Sequence, residues 1–456
     1  MTLREAQHIH FIGIGGIGVS AIAKWLLEQG KQISGSDLHE NPNTLWLAAH
    51  GATVHIGSHA AKSIPKDCVL IIHTVAVQAD NAELVGALER GIATMTYPQA
   101  LNELLAGKEG IAIAGSHGKS TTTALLGYIL VEAQLDPTVI VGTRVRLFDN
   151  TNERIGKGPN ILIEADEYNQ GILVYYPKHA AVLNVDYEHV DIYPTLAALQ
   201  LAFQTFVSHV PVDGTVTLAA DDSTTPMLRA VASAKVQTFG LTQGDIFLAN
   251  RQTTTSGQTF DVQGLYQGAF STQLFGDHNL ANILAALAVA KSLGIPLTVC
   301  QKAVAAFPGT WRRFENRGTW RGAIIIDDYA HHPTEIQATL QATRQAYPGR
   351  RILCIFQPHL RSRTVAFVKE FSAVLQQADA CVVLEVYDPA GRTSTEKISS
   401  TSIVRAVGNK ALYAKNVSDA VKVAATLVQE GDIILTLGAG DITEFAAKAQ
   451  KENPNG

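Results

Sequence analysis

Cysteine is scarce and scattered. Cys68, Cys300, Cys354 and Cys381 are the only four thiols, and no two form a CxxC pair. That spacing excludes a disulfide framework or a zinc knuckle and predicts reduced, buried thiols of a cytoplasmic protein. An excess of positive charge is also missing. With 36 Lys and Arg against 41 Asp and Glu, the formal charge is −5, which excludes the basic footprint of a nucleic-acid binder. Anionic substrates must then be met by local Arg and Lys. No apolar run reaches the ~18 residues of a membrane span. Met1-Thr-Leu-Arg-Glu5 lacks the apolar core of a signal peptide, so no membrane association is expected. Repeats of 20–50 residues and low-complexity tracts are absent. What remains is an ordinary globular composition long enough for roughly three domains.

Apolar runs that alternate with helical periodicity predict an α/β chain. The organising stretch is Ile111-Ala-Ile-Ala-Gly115-Ser116-His117-Gly118-Lys119-Ser120-Thr121. It reads as a strand, a glycine-bearing loop and a helix opening at Lys119. Backbone N–H groups at such a turn face a bound anion; Lys119 can reach β- and γ-phosphates, and Ser120 or Thr121 can ligate Mg²⁺. The first glycine of a standard phosphate loop would fall at Ile113, so this loop is shorter. A plain strand–turn–helix is the alternative.

Earlier in the chain, the strand His8–Ile12 runs into Gly13-Ile-Gly15-Gly16-Ile-Gly18, then a helix from about Val19 to Gln29 and a strand ending near Asp37. The pattern marks a nucleotide diphosphate and does not separate NAD from a UDP-sugar. An empty glycine-rich turn is the other reading. Asp37 can accept from a ribose hydroxyl or a base N–H. Further βα units close this domain near residue 105.

In the second domain, the strand Asn160–Ile163 runs into Glu164-Ala-Asp166-Glu167, carboxylates suited to Mg²⁺ or to an acidic surface turn. The run Ala180–Val185 precedes Asp186-Tyr-Glu188-His189. Here His189 is a candidate second metal ligand or a structural histidine. Residues 143–159 read as irregular, and 214–275 as appended antiparallel strands. Asn279 and Asn282 share one face of a helix's first turn, either to read an adenine edge or to cap the helix. After Pro308-Gly309, a third α/β unit carries Asp327-Asp328-Tyr329-Ala-His331-His332 and Gln357-Pro-His359-Leu360-Arg361-Ser-Arg363 at strand ends. Val365–Gln377 reads there as one helix.

These motifs in order resemble the Mur ligase family of cell-wall synthesis. The resemblance spans the chain and rests on Gly13–Gly18, Gly115–Thr121, Glu164–Glu167, His278-Asn279, Arg313-Phe-Glu315, Asp328–Pro333, Phe356–His359 and Gly438-Ala-Gly440-Asp441. It implies a Rossmann-like UDP-sugar-binding domain at 1–105 and an ATP-binding P-loop domain with added antiparallel strands at 106–310. A Rossmann-like amino-acid-binding domain follows at 311–456. The implied reaction joins an amino acid, L-alanine in the branch most resembled, to the carboxylate of UDP-N-acetylmuramate through an acyl phosphate. ATP and Mg²⁺ are the implied cofactors, and the assembly is a monomer or homodimer.

By matching position, Gly115–Thr121 and Lys119 would hold ATP, with Asn279 and Asn282 on adenine and Arg313 on the γ-phosphate. Ser120, Glu164 and His189 would ligate Mg²⁺. Gly13, Gly15, Gly16, Gly18 and Asp37 would take the UDP-sugar, and Tyr329, His331 and Arg363 the amino acid. Lys119, His189, Arg313 and His331 are thereby the catalytic set. No lysine lies between Lys178 and Lys235, which fits the alanine-adding branch; other branches carry a carbamylated lysine there. Tyr168-Asn169 and Leu360 depart from the usual pattern. Three other readings compete: a tripeptide-recycling ligase, a non-catalytic nucleotide-binding regulator and an NAD-linked dehydrogenase.

Overall fold

His8–Ile12 is buried at every position, as expected of a strand flanked by strands and covered on both faces. In the computed structural model, described at residues 1–388 and 397–452, it is the centre of the first of three sheets. The elements around it are β1 (His8–Ile12), α1 (Ile17–Glu28), β2 (Gln32–Asp37), α2 (Pro42–Ala49), β3 (Thr53–Ile56), β4 (Leu70–His73), α3 (Ala82–Glu89), β5 (Ala93–Thr96) and α4 (Tyr97–Leu105). The order β3-β2-β1-β4-β5 is parallel throughout. The glycine turn after β1 therefore opens where the strand order reverses, the crevice where such sheets bind ligands.

The middle of the chain contains β6 (Glu109–Ala114), α5 (Lys119–Glu132), β7 (Thr138–Val145), β8 (Thr151–Arg154), β9 (Asn160–Glu164), β10 (His179–Val182), α6 (Leu196–Ser208), β11 (Thr215–Ala219), α7 (Thr225–Val231) and β12 (Lys235–Gly240). The order β8-β7-β9-β6-β10-β11-β12 puts the phosphate-loop strand β6 between β9 and β10. After these come β13 (Ile246–Thr254), β14 (Gly257–Gly264), β15 (Gly268–Thr272), α8 (Asp277–Ser292) and α9 (Leu297–Ala306).

Two expectations change here. Residues 143–159 are not irregular: they hold the end of β7 and all of β8, an antiparallel edge hairpin. The polar residues misled in two ways: Arg144 is exposed between buried Thr143 and Val145, whereas Asn152 and Glu153 are buried against polar partners on α1. Within 214–275 only β13, β14 and β15 pair antiparallel. Instead β11 runs parallel to β10, and a proline in the first turn starts α7.

The last sheet is built from β16 (Glu315–Trp320), β17 (Ala323–Asp328), α10 (Pro333–Ala346), β18 (Ile352–Phe356), α11 (Arg361–Ala366), α12 (Val368–Leu375), β19 (Ala380–Leu384), α13 (Thr401–Val407), β20 (Ala411–Ala414), α14 (Val417–Ala425), β21 (Ile433–Leu437) and α15 (Phe445–Glu452). Its order is β16-β17-β21-β18-β19-β20, parallel except for the edge strand β16. Separate apolar clusters cover its two faces, one around Phe356 and Phe371 and the other around Trp320 and Phe445. The single helix expected over Val365–Gln377 breaks at Phe367, whose ring packs edge-on against His332 at 4.9 Å and against Phe371 at 6.5 Å.

All four cysteines are buried free thiols, and Cys354 and Cys381 are register partners on β18 and β19. Two compact units emerge: Met1–Val185 with Gln200–Thr238 and Ala285–Val299, and the remaining described residues. Among the described residues no helix is long and apolar enough to cross a membrane.

Candidate active site

The phosphate loop closes on itself. Gly118, at φ +85°, is the N-cap of α5; left-handed backbone of this kind suits glycine. Lys119 Nζ donates to the carbonyls of Gly115 and Ser116 at 2.6 and 3.3 Å, and to both Glu167 oxygens at 2.8 and 3.1 Å. Burial works against the ammonium charge, but Glu167 and Asp166 outweigh it and hold the pKa above the ordinary lysine range. Asn184, just beyond β10, clasps the loop. Its Oδ1 accepts from His117 N–H at 2.8 Å, and its Nδ2 donates to His117 O at 3.0 Å. Parallel pairing of β10 with β6 puts Asn184 opposite the loop, a register that no local pattern reveals.

Ser120 Oγ donates to Glu164 Oε1 at 2.9 Å, and Gly142 N–H donates to Glu164 Oε2 at 2.7 Å. Burial raises the Glu164 pKa although Lys119 opposes it. A hydroxyl and a carboxylate this close are the hard oxygen donors that Mg²⁺ takes, and a cation there would keep Glu164 ionised. The donor set therefore fits the metal.

In the glycine turn after β1, Gly15 N–H donates to Asp37 Oδ2 at 2.8 Å and His39 N–H to Asp37 Oδ1 at 3.2 Å. Asp37 thus braces the turn from the end of β2. The N-terminus of α1 has no side-chain cap, which leaves its first-turn N–H groups without a side-chain acceptor. A Cβ on Gly18 would lie 2.5 Å from the Tyr97 ring, so glycine there permits the close packing of α1 on α4.

The second unit assembles another constellation. Buried Arg363 donates Nε and Nη2 to Glu188 Oε1 at 2.9 and 2.6 Å, and Nη1 to His359 O at 3.2 Å. Burial would raise the Glu188 pKa, but Arg363, with His331, His189 and His332 nearby, holds it well below the carboxylate range. His189, at φ +52°, donates its N–H to Glu188 Oε1 at 3.1 Å. His331 Nδ1 lies 2.9 Å from Tyr329 O, and burial lowers its pKa to about 4.

Arg313 pairs with Glu335 at 3.3 Å and lies 5.2 Å from the Tyr329 ring centroid. Asn279 and Asn282 are buried in the first turns of α8, Asn279 donating to Phe275 O at 2.8 Å. Of the predicted site residues, the glycine turn, Asp37, the phosphate loop and Glu164 fall in one unit. His189, Asn279, Asn282, Arg313, Tyr329, His331 and Arg363 fall in the other.

Arg312, which sequence reasoning passed over beside Arg313, is the buried organiser of the last sheet's ligand edge. It donates to Asp327 at 2.9 Å and to the carbonyls of Gly438 and Gly440. Leu360 is buried, and Arg361 beside it pairs with Asp388 at 2.6 Å. After Tyr168, Asn169 and Gln170 both adopt left-handed backbone, at φ +50° and +60°.

Three family models match in sequence order: "Mur ligase family, catalytic domain" over residues 8–109, "Mur ligase middle domain" over 113–290, and "Mur ligase, glutamate ligase domain" over 312–440. The chain is 38% identical over 443 residues to the UDP-N-acetylmuramate–L-alanine ligase of Clostridium kluyveri, covering 96% of each chain. It is 37% identical over 455 residues to the ligase of the same name from Aquifex aeolicus, covering 99% of each. Among solved structures, the UDP-N-acetylmuramate-alanine ligase of Thermotoga maritima superimposes with a TM-score of 0.82 at 29% identity, over 98% of this chain and 99% of that one. A murein peptide ligase from Psychrobacter arcticus shares the fold, with a TM-score of 0.72 at 23% identity over 98% of each chain.

Proposed function

This chain belongs to the Mur ligase family, and we propose that it joins L-alanine to the carboxylate of UDP-N-acetylmuramate in an ATP-dependent, ADP-forming step of peptidoglycan precursor synthesis. The observation that carries the choice of substrate is the 37–38% identity to L-alanine-adding ligases over essentially the whole of both chains. In the proposed reaction the muramate carboxylate attacks the γ-phosphate of ATP to give an acyl phosphate and ADP. The amino group of L-alanine then attacks that carbonyl, and phosphate leaves. Both steps crowd anions together, so the protein's task is charge neutralisation and alignment.

Each group has a task that its surroundings support. Lys119 turns from Glu167 to the β- and γ-phosphates, which lie on the N–H groups of Gly115–Thr121. Ser120 and Glu164 would hold Mg²⁺, and His189 would serve a second ion. Bound there, Mg²⁺ would supply positive charge to offset the crowded anions. Asn279 and Asn282 read adenine, and Arg313 meets the γ-phosphate. The turn Gly13–Gly18, braced by Asp37, takes the UDP diphosphate. Tyr329, neutral His331 and Arg363 receive L-alanine, with Arg363 on its carboxylate. Domain limits near residues 105 and 310 separate the UDP-sugar, ATP and amino-acid functions.

The test is phosphate release from Mg-ATP with UDP-N-acetylmuramate and, in turn, L-alanine, glycine, L-serine or the stem tripeptide. Release that needs both the UDP-sugar and L-alanine is expected. Release with tripeptide alone would reassign the chain to precursor recycling. Failure with every acceptor, in protein that still binds ATP, would overturn the catalytic reading.

A further inference from the structure

The glycine turn is held from outside its own sheet. Lys24 of α1 donates Nζ to Glu153 Oε1 of β8 at 2.8 Å, although the two residues are 129 positions apart. The pair is almost wholly buried, at 6% and 8% side-chain exposure. The same Nζ lies 3.4 Å from Asn43 Oδ1, and Asn43 Nδ2 donates to Gly15 O at 3.2 Å. Gly15 N–H is the donor that Asp37 braces. Beside this relay, Asn152 Nδ2 donates to Ile17 O at 2.6 Å. Because a peptide unit is planar, fixing the Ile17 carbonyl also fixes the direction of Gly18 N–H, a first-turn donor of α1.

The chemistry of the contact is informative. A buried ion pair is a poor source of stability, since desolvation offsets most of its Coulomb gain. Apolar side chains would pack α1 against the β7–β8 hairpin at least as well, but they would leave the helix free to shift along it. A Lys–Glu pair flanked by two directional amides fixes that register. Buried Glu153 Oε2 has no hydrogen-bond partner among the described residues, so the carboxylate is held through the single oxygen that faces Lys24. The network ends on the turn that the proposed function gives to the UDP diphosphate.

We propose that Lys24, Asn43, Asn152 and Glu153 are positioning residues for the UDP-sugar diphosphate. The edge hairpin β7–β8 of the ATP-binding sheet sets the glycine turn through a buried relay. The inference rests on the proposed function for the identity of the ligand, and it adds residues from outside the first sheet to that site.

Its test compares wild type with Asn152→Ala, Lys24→Met/Glu153→Leu and Lys24→Arg. Asn152→Ala removes the bond to Ile17 O, the double variant removes the ion pair without stranding a buried charge, and Lys24→Arg keeps a cation at position 24. Affinity for UDP-N-acetylmuramate is measured by calorimetry without ATP, and KM is measured for each substrate. Asn152→Ala and the double variant are expected to weaken UDP-sugar binding and raise its KM about tenfold, with KM for ATP within twofold of wild type. Lys24→Arg, which keeps the charge, should stay close to wild type. Unchanged UDP-sugar affinity in the folded variants, or equal rises in KM for ATP and UDP-sugar, would overturn the positioning role while leaving the proposed function intact. Wild type that binds no UDP-sugar would overturn the ligand assignment itself.

Discussion

Glu188 Oε1 accepts from both Nε and Nη2 of Arg363, so the guanidinium assigned to the L-alanine carboxylate already has a carboxylate on one edge. Anchored there and by Nη1 on His359 O, Arg363 has a set direction. Glu188→Gln should loosen it and raise KM for L-alanine about tenfold, leaving KM for ATP unchanged. A lowered KM would mean instead that Glu188 competes with the substrate. Glu188→Ala strands a buried charge and should cost about 3–5 kcal/mol in urea unfolding at pH 7. The depressed Glu188 pKa fixes the sign with pH. The pair's stabilisation is complete above the ordinary carboxylate range and fades only as pH falls through the lower native value.

Lys119 Nζ lies 2.8 Å from a Glu167 carboxylate oxygen, and Glu167 is fully buried. Lys119→Met should lower phosphate release by about 10²–10³-fold. UDP-sugar affinity, measured without ATP, should stay close to wild type, because the glycine turn does not use this lysine. Pairing the change with Glu167→Gln should recover thermal stability but not turnover. Parallel loss of UDP-sugar binding would mean that the two sites are not separate.

Ser120 and Glu164 carry the metal assignment. Chelation with EDTA should abolish phosphate release, and added Mg²⁺ should restore it. Glu164→Gln keeps the shape while removing the charge, and should shift the Mg²⁺ concentration for half-maximal rate upward by at least about tenfold. An unchanged Mg²⁺ titration would remove Glu164 from the metal site.

Acid should destabilise the fold through histidines. Burial lowers His278 and His331 from 6.5 to about 4. The unfolded chain therefore binds those protons first, and native stability falls as pH drops from 6.5 towards 4. Asp328 acts in the opposite sense. Burial raises it from 3.8 to about 6, against the pull of Arg313, so its contribution improves on acidification across that range. Burial also lowers His179 and raises Glu164, so three histidines stand against two carboxyls and a net loss remains, about 1–2 kcal/mol for each of the partly exposed His278 and His331 rings. Calorimetric Tm values at pH 7 and pH 5 test this, with His278→Gln expected to flatten the difference. An equal slope in the variant would contradict the burial argument.

Much of the architecture was legible because it is written locally. The apolar run His8–Ile12 became a strand with those limits, Asn160–Ile163 one that runs a residue further, and α5 opens at Lys119 as the loop predicts. Edges were harder. The strand β8 buries polar Asn152 and Glu153, the edge strand β16 is largely exposed, and neither has the apolar run that marks a central strand. Phe367 breaks a helix that its periodicity would continue, because its ring is claimed by His332 and Phe371.

The sequence by itself determined the order of βα units, the two glycine turns and the residue types at strand ends, since each depends on neighbours within a few positions. Only the tertiary structure decided which of those groups meet. Asn184 reaches His117 across 67 residues, Lys24 reaches Glu153 across 129, and Arg363 reaches Glu188 across 175. Such pairs follow from strand order and from the register of parallel neighbours. These are set by how whole crossovers pack, and no short stretch of sequence carries that information.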